Sequence, residues 1–218
     1  MKRFLRYSFL LLILIFTSLQ ASWNATIKGG LPVSLSICDH DLSQEKVVFK
    51  TSFRTAYQGT EIENMVQKKH GSLDHFLDVA FEDDETDFLA KKSATLFISA
   101  KNQNGEVIGF VSFDKHQASD SDLANVYVRS LAILPQYQHK NLGAILMYSF
   151  LNIWPDYHCV KLVTRRLNAS AVGFYTKMGF KDYGYVHEGF DPSVYVGFTR
   201  LFDDAFARTM LGLYTYVN

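Results

Sequence analysis

The residues best suited to chemistry cluster in one polar bend, Gln136 to Asn141, between an apolar run and an amphipathic segment. Val126 to Leu134 is β-branched and apolar and reads as a strand; Pro135 ends it, because proline lacks an N–H and fixes φ. Gly143 then opens a segment whose apolar residues, Leu142, Ile145, Leu146, Phe150 and Ile153, recur at helical spacing until Pro155. A strand, a polar turn and a bare helix N-terminus make an anion seat, since unpaired backbone N–H groups point into the turn and the helix dipole adds partial positive charge. Lys140 adds a full one, and Asn141 is the non-glycine type that best tolerates left-handed backbone angles. Further on, Asn168 can cap a second helix with Ala171, Val172, Tyr175 and Met178 on its apolar face and Gly179 at its end.

Other reactive residue types show less pattern. The seven histidines are scattered, and neither Cys-x-x-Cys nor His-Glu-x-x-His spacing occurs, so no metal is expected. Cys38 and Cys159 both lie in apolar runs, where a buried free thiol is the expected state rather than a bridge. Glu82-Asp83-Asp84-Glu85 and Asp87 read first as a solvated helix end. Their functional reading is an electrostatic lure for a cationic amine.

These residues need a scaffold to hold them. Residues 33–40 alternate apolar and polar as a first strand, while Lys46 to Tyr57 is β-rich at its start and fits no single state. Thr60 to Lys69 and Leu73 to Phe81 have helical spacing. Thr95 to Lys101 and Val107 to Lys115 flank Asn104-Gly105, which supplies the positive φ values of a tight hairpin turn. His158 to Arg165 reads as a further strand, and Phe180 to Tyr185 and Ser193 to Thr199 as a closing pair. Phe202 to Tyr216 is apolar and helical in pattern; it either covers a sheet edge or makes an interface, for example with a second copy.

Two stretches together resemble the GCN5-related N-acetyltransferase (GNAT) superfamily. The family's acyl-CoA motif is Gln or Arg, two residues, Gly, one residue, then Gly or Ala; Gln138-His139-Lys140-Asn141-Leu142-Gly143 is similar to it, with Asn141 in place of the first glycine. Asn168, Ala171, Tyr175 and Gly179-Phe180 resemble the second motif at its spacing. The resemblance implies an α/β GNAT fold, a mixed and mostly antiparallel twisted sheet of about six to seven strands flanked by about four helices. It implies that the turn from Gln138 through His139, Lys140, Asn141, Leu142 and Gly143 to Ala144 binds the coenzyme A pyrophosphate. It also implies that Leu131, Ala132 and Ile133 pair with the pantetheine arm, their N–H groups holding the oxyanion, and that Asn168 caps and contacts the cofactor. Tyr175 stands where the family keeps its general acid; a phenol is close to a thiol in acidity, so it can protonate the departing sulfur. The general base stays open among His116, Tyr127 and His187-Glu188. The implied reaction is direct transfer of an acetyl group from acetyl-CoA to a primary amine of a small molecule or protein. An inactive GNAT-fold binding module is the competing reading.

Composition sets the outer bounds. With 218 residues, 48% hydrophobic and 20% charged, the chain suits one packed domain with short appendages. Zero formal net charge argues against a nucleic-acid partner. Lys2, Arg3 and Arg6 precede an apolar run from Phe9 to Phe16 and a small-residue stretch ending at Ala21, the layout of a signal peptide over residues 1–21. The expectation is therefore an exported acetyltransferase domain over residues 33–200 and a helical extension over 201–218, with membrane contact only through the leader. An uncleaved anchor and a cytoplasmic location are the alternatives.

Overall fold

The computed structural model describes residues 22–38, 41–90, 94–117, 124–184, 186, 189–212 and 214–216, so the expected leader lies outside the described residues. Nine strands form one sheet: β1 (Ser22–Ile27), β2 (Leu31–Ile37), β3 (Thr95–Lys101), β4 (Val107–His116), β5 (Asn125–Ile133), β6 (Cys159–Arg165), β7 (Lys181–Asp182), β8 (Tyr195–Leu201) and β9 (Tyr214–Tyr216). Their order is β7-β8-β6-β5-β4-β3-β2-β1-β9. Every neighbouring pair is antiparallel except β5 and β6. Six α-helices accompany it: α1 (Ser43–Tyr57), α2 (Glu61–His70), α3 (Leu73–Ala90), α4 (Leu142–Tyr148), α5 (Ala169–Lys177) and α6 (Asp204–Leu211).

The strand and helix counts exceed the sequence expectation for local reasons. Ser22–Ile27, which the sequence reading left unassigned, pairs with β2 from Ser22 opposite Ser36 to Ile27 opposite Leu31. Lys46 to Tyr57, ambiguous in sequence, is helical throughout. Phe49, Phe53 and Tyr57 recur every fourth residue, with ring centroids 4.4 and 5.5 Å apart, so side-chain stacking outweighs the β preference of Val47-Val48. α3 runs nine residues beyond Phe81, started by Ser72, whose Oγ accepts from the His75 N–H at 3.1 Å. The hairpin between β3 and β4 is looser than a two-residue turn: only Gly105 takes a positive φ, and the Asn102 side chain accepts from the N–H groups of Asn104 and Glu106. The C-terminal stretch is both helix and strand, and β9 covers the outer edge of β1.

Two buried clusters use the sheet. One joins α1, α2 and α3 to Phe97, Phe110 and Ala132; the other joins α4, α5 and α6 to Val126, Val128, Val160 and Phe198. Cys38 and Cys159 are free thiols. Burial, and after it the charge of Glu45, pushes Cys38 up to about 12, which makes it a poor nucleophile.

Candidate active site

The site is made by two strands parting. β5 pairs with β6 only from Val126 to Val128, opposite Val160 to Leu162, whereas its pairing with β4 continues to Ile133. At the point of separation Arg129 is an extra residue in the ladder, because Ser112 faces Ser130 and Phe113 faces Val128. Beyond this bulge the β6 side of β5 is open. The Leu134 N–H donates to Ile108 at 3.0 Å, so by strand alternation the peptide groups of Leu131 and Ile133 face the opening, while those of Ala132 turn into the β4 ladder. Of Leu131, Ala132 and Ile133, two therefore turn their peptide groups toward the opening.

The bulge is braced by charge. Arg129 Nε donates to Asp84 Oδ1 at 3.0 Å and Nη1 to Asp114 Oδ2 at 3.1 Å, and Ser130 Oγ donates to the other Asp84 oxygen. The acidic run lies within α3 and is divided: Asp84 is spent on β5, Glu82 pairs with Lys46 at 3.2 Å, and Asp83 is exposed. Burial pushes the Asp84 carboxyl up, while Ser130 and Arg129 pull it back. A raised carboxyl pKa favours the fold at low pH, and that contribution is lost as pH rises through it. Arg129→Met leaves Asp84 and Asp114 without a counter-charge and is expected to cost about 3–5 kcal/mol in denaturant unfolding at neutral pH. The deficit should narrow on acidification as the acids take up protons; a deficit independent of pH would mean that packing, not charge, holds the bulge.

The turn after β5 has the geometry expected of it. His139 and Asn141 take left-handed angles, φ 59° and 66°. Asn141 thus adopts the angle a glycine would supply. Leu142, Gly143 and Ala144 precede the first i→i−4 bond of α4, which Ile145 donates to Asn141 at 3.1 Å, so their N–H groups belong to the unpaired first turn. Gln138 ties the turn to the strand end: its Nε2 donates to the Ile133 carbonyl at 3.0 Å, which also accepts from Ser52 Oγ of α1 at 2.7 Å. Leu142 is a core anchor, fully buried, whereas His139 is exposed. Lys140 Nζ lies 5.3 Å from the Tyr137 ring, and its carbonyl accepts from the Lys28 N–H at 3.0 Å. Lys28, in the β1–β2 turn, and Ser52 were not foreseeable; more than eighty residues separate each from its partner.

The second motif docks on the first through Gly143. A Cβ there would lie 3.0 Å from Phe174 Cζ and 3.3 Å from Ile133 Cδ1. Asn168 caps α5, its Oδ1 accepting from the Ala171 N–H at 3.2 Å. Tyr175 is 8% exposed and packs against Phe174, Phe180 and Phe198. Burial first, then the neighbouring phenols of Tyr57 and Tyr127, hold its hydroxyl far above the ordinary tyrosine range. It therefore stays protonated at any working pH. Tyr127, considered as a base, is pushed up to about 12 by burial and stays protonated too. His116 lies edge-on to it, ring centroids 6.3 Å apart; His187 and Glu188 lie outside the described residues.

A cleft where parallel strands part, a left-handed turn onto a helix, and a buried tyrosine define an acyl-CoA-dependent transferase fold. The model of the acetyltransferase (GNAT) family matches residues 60–180, and the chain belongs to that family as a GNAT acetyltransferase. The family uses acyl-CoA donors and amine acceptors. Among solved structures, PaiA N-acetyltransferase from Thermoplasma acidophilum, in complex with coenzyme A, is 22% identical, with TM-score 0.53 over 77% of this chain and 99% of that one. An acetyltransferase of the GNAT family from Staphylococcus aureus is 16% identical, with TM-score 0.54 over 78% and 99%. An acetyltransferase from Streptococcus agalactiae is 16% identical, with TM-score 0.53 over 78% and 98%. At these identities the likeness is one of fold. No curated protein matches the sequence.

Proposed function

We propose that the protein transfers an acetyl group from acetyl-CoA to a primary amine in a ternary complex. The observation that carries this is the opening beyond Val128, with the peptide groups of Leu131 and Ile133 on one side and Tyr175 buried beside it. Backbone N–H groups at the start of α4, with Lys140 and Lys28 near them, suit the pyrophosphate. The amine nitrogen attacks the thioester carbon, and the oxygen gains negative charge that a peptide N–H from Leu131 or Ile133 can hold. The C–S bond then breaks, the sulfur takes the Tyr175 proton, the ammonium formed on nitrogen loses its extra proton to solvent, and the Tyr175 phenolate takes a proton back from solvent. The products are an amide and coenzyme A. Asn141, the departure that favoured an inactive module, adopts the angle its position needs.

The purified protein, titrated with acetyl-CoA by calorimetry, is expected to bind at micromolar levels and to release free thiol when an amine is added. No binding at millimolar concentration would overturn the reading. The expected leader belongs to the same proposal: N-terminal sequencing of exported protein should begin at Ser22, and a sequence beginning at Met1 would remove it.

A further inference from the structure

Arg165, the last residue of β6, is half-buried and lies past Leu162, where β6 stops pairing with β5 and the opening begins. Its guanidinium carbon lies 5.0 Å from the Tyr195 ring centroid and 5.5 Å from that of Phe76. Tyr57 is a further neighbour: burial pushes its phenol up to about 12, while the Arg165 charge pulls it down. Tyr57 is in turn an electrostatic neighbour of Tyr175, so Arg165 stands one side chain away from the proposed acid.

Arg54 pairs with Asp74, and Arg129 with Asp84 and Asp114, but Arg165 makes no ion pair among the described residues. The His70 ring packs at a tilt against Phe76, centroids 5.0 Å apart, and its pKa is lowered by burial first and then by Lys69, Arg165 and His75. A guanidinium held by two aromatic neighbours keeps its in-plane N–H groups for a planar anion, the geometry that suits a carboxylate.

We propose, building on the transferase reading, that Arg165 binds a carboxylate on the acceptor. The acceptor is then a small aromatic or apolar amine that carries its own carboxylate, an amino-acid-like molecule rather than a polyamine or a protein lysine. Tyr195 and Phe76 supply the apolar walls beside the charge.

The test uses 3-phenylpropanoate and its neutral amide, 3-phenylpropanamide, titrated by calorimetry into wild type, Arg165→Lys and Arg165→Ala, with and without coenzyme A. Wild type is expected to prefer the acid by about 10- to 100-fold, the usual range for a charge-assisted contact. Arg165→Lys should keep part of that preference and Arg165→Ala none. In wild type, NMR titration of His70 should show its pKa rise when the acid binds, since a nearby anion favours imidazolium. Equal binding of acid and amide, a preference that survives in Arg165→Ala, or a His70 titration unmoved by the acid would overturn the proposal. The His70 result stands even if the alanine variant folds poorly. Coenzyme A binding in the same samples keeps the two readings apart: its absence would sink the transferase, whereas its presence without acid preference would sink only the carboxylate clamp.

Discussion

Gly143→Val should lower coenzyme A affinity by about two orders of magnitude, on the basis that each charge-assisted contact is worth roughly 1.5–3 kcal/mol. Gly143 has no positive φ, so backbone freedom is not the reason. The reason is space: a β-carbon there meets Phe174 Cζ at 3.0 Å and Ile133 Cδ1 at 3.3 Å, and valine adds two further methyl groups. The first turn of α4 must then move away from α5 or from β5, and either movement re-aims the N–H groups offered to the pyrophosphate. Overpacking also costs stability, about 1–3 kcal/mol. Gly143→Ala separates the two effects, being a smaller insertion at the same place. Gly173→Ala is the control: nothing lies within 4 Å of its β-carbon, so affinity should not change and α5 should gain up to about 1 kcal/mol of helix propensity. Unchanged coenzyme A affinity in Gly143→Val would mean that the anion is bound elsewhere.

That close approach shows what kind of information the sequence carries. The turn and α5 are written in contiguous residues: Gln138 to Gly143 and Asn168 to Gly179 each declare their local geometry through caps, glycines and apolar spacing. Their mutual docking is not written locally, since Phe174 and Gly143 are far apart in the chain. The same holds for the bulge. Asp84 looks like one more acid in a solvated run, and only the fold shows that it and Asp114 hold Arg129 where β5 leaves β6. Arg165 looked like an ordinary strand end, because its neighbours Tyr57, Phe76 and Tyr195 come from three other parts of the chain. Strand β1 is not written locally either: Ser22, Asn24 and Ala25 carry little strand preference, and it forms because β2 and β9 pair with it on either side.

Tyr175→Phe is the substitution expected to change rate most while changing structure least. The Tyr175 ring packs against three phenylalanines, all of which phenylalanine would still meet. The hydroxyl makes no hydrogen bond to another described residue, so its removal orphans no partner, and Tm should stay within a degree or two. Affinity for acetyl-CoA should likewise hold, because the proposed phosphate contacts come from the turn after β5. What is lost is the proton for the departing sulfur. General acid catalysis contributes about 10²- to 10⁴-fold, so kcat should fall by at least 10²-fold. The raised pKa of Tyr175 does not argue against this role. The same burial that disfavours tyrosinate disfavours a thiolate released beside it, so both acidities move in the same direction and the transfer stays near balance. A leaving group that is a better thiolate, as in an aryl thioester, needs the proton less, and with it the variant should recover most of its rate. Equal turnover of wild type and Tyr175→Phe on acetyl-CoA would remove Tyr175 from the chemistry. Tyr57 and Tyr127, the two phenols beside it, would then be the next proton donors to replace.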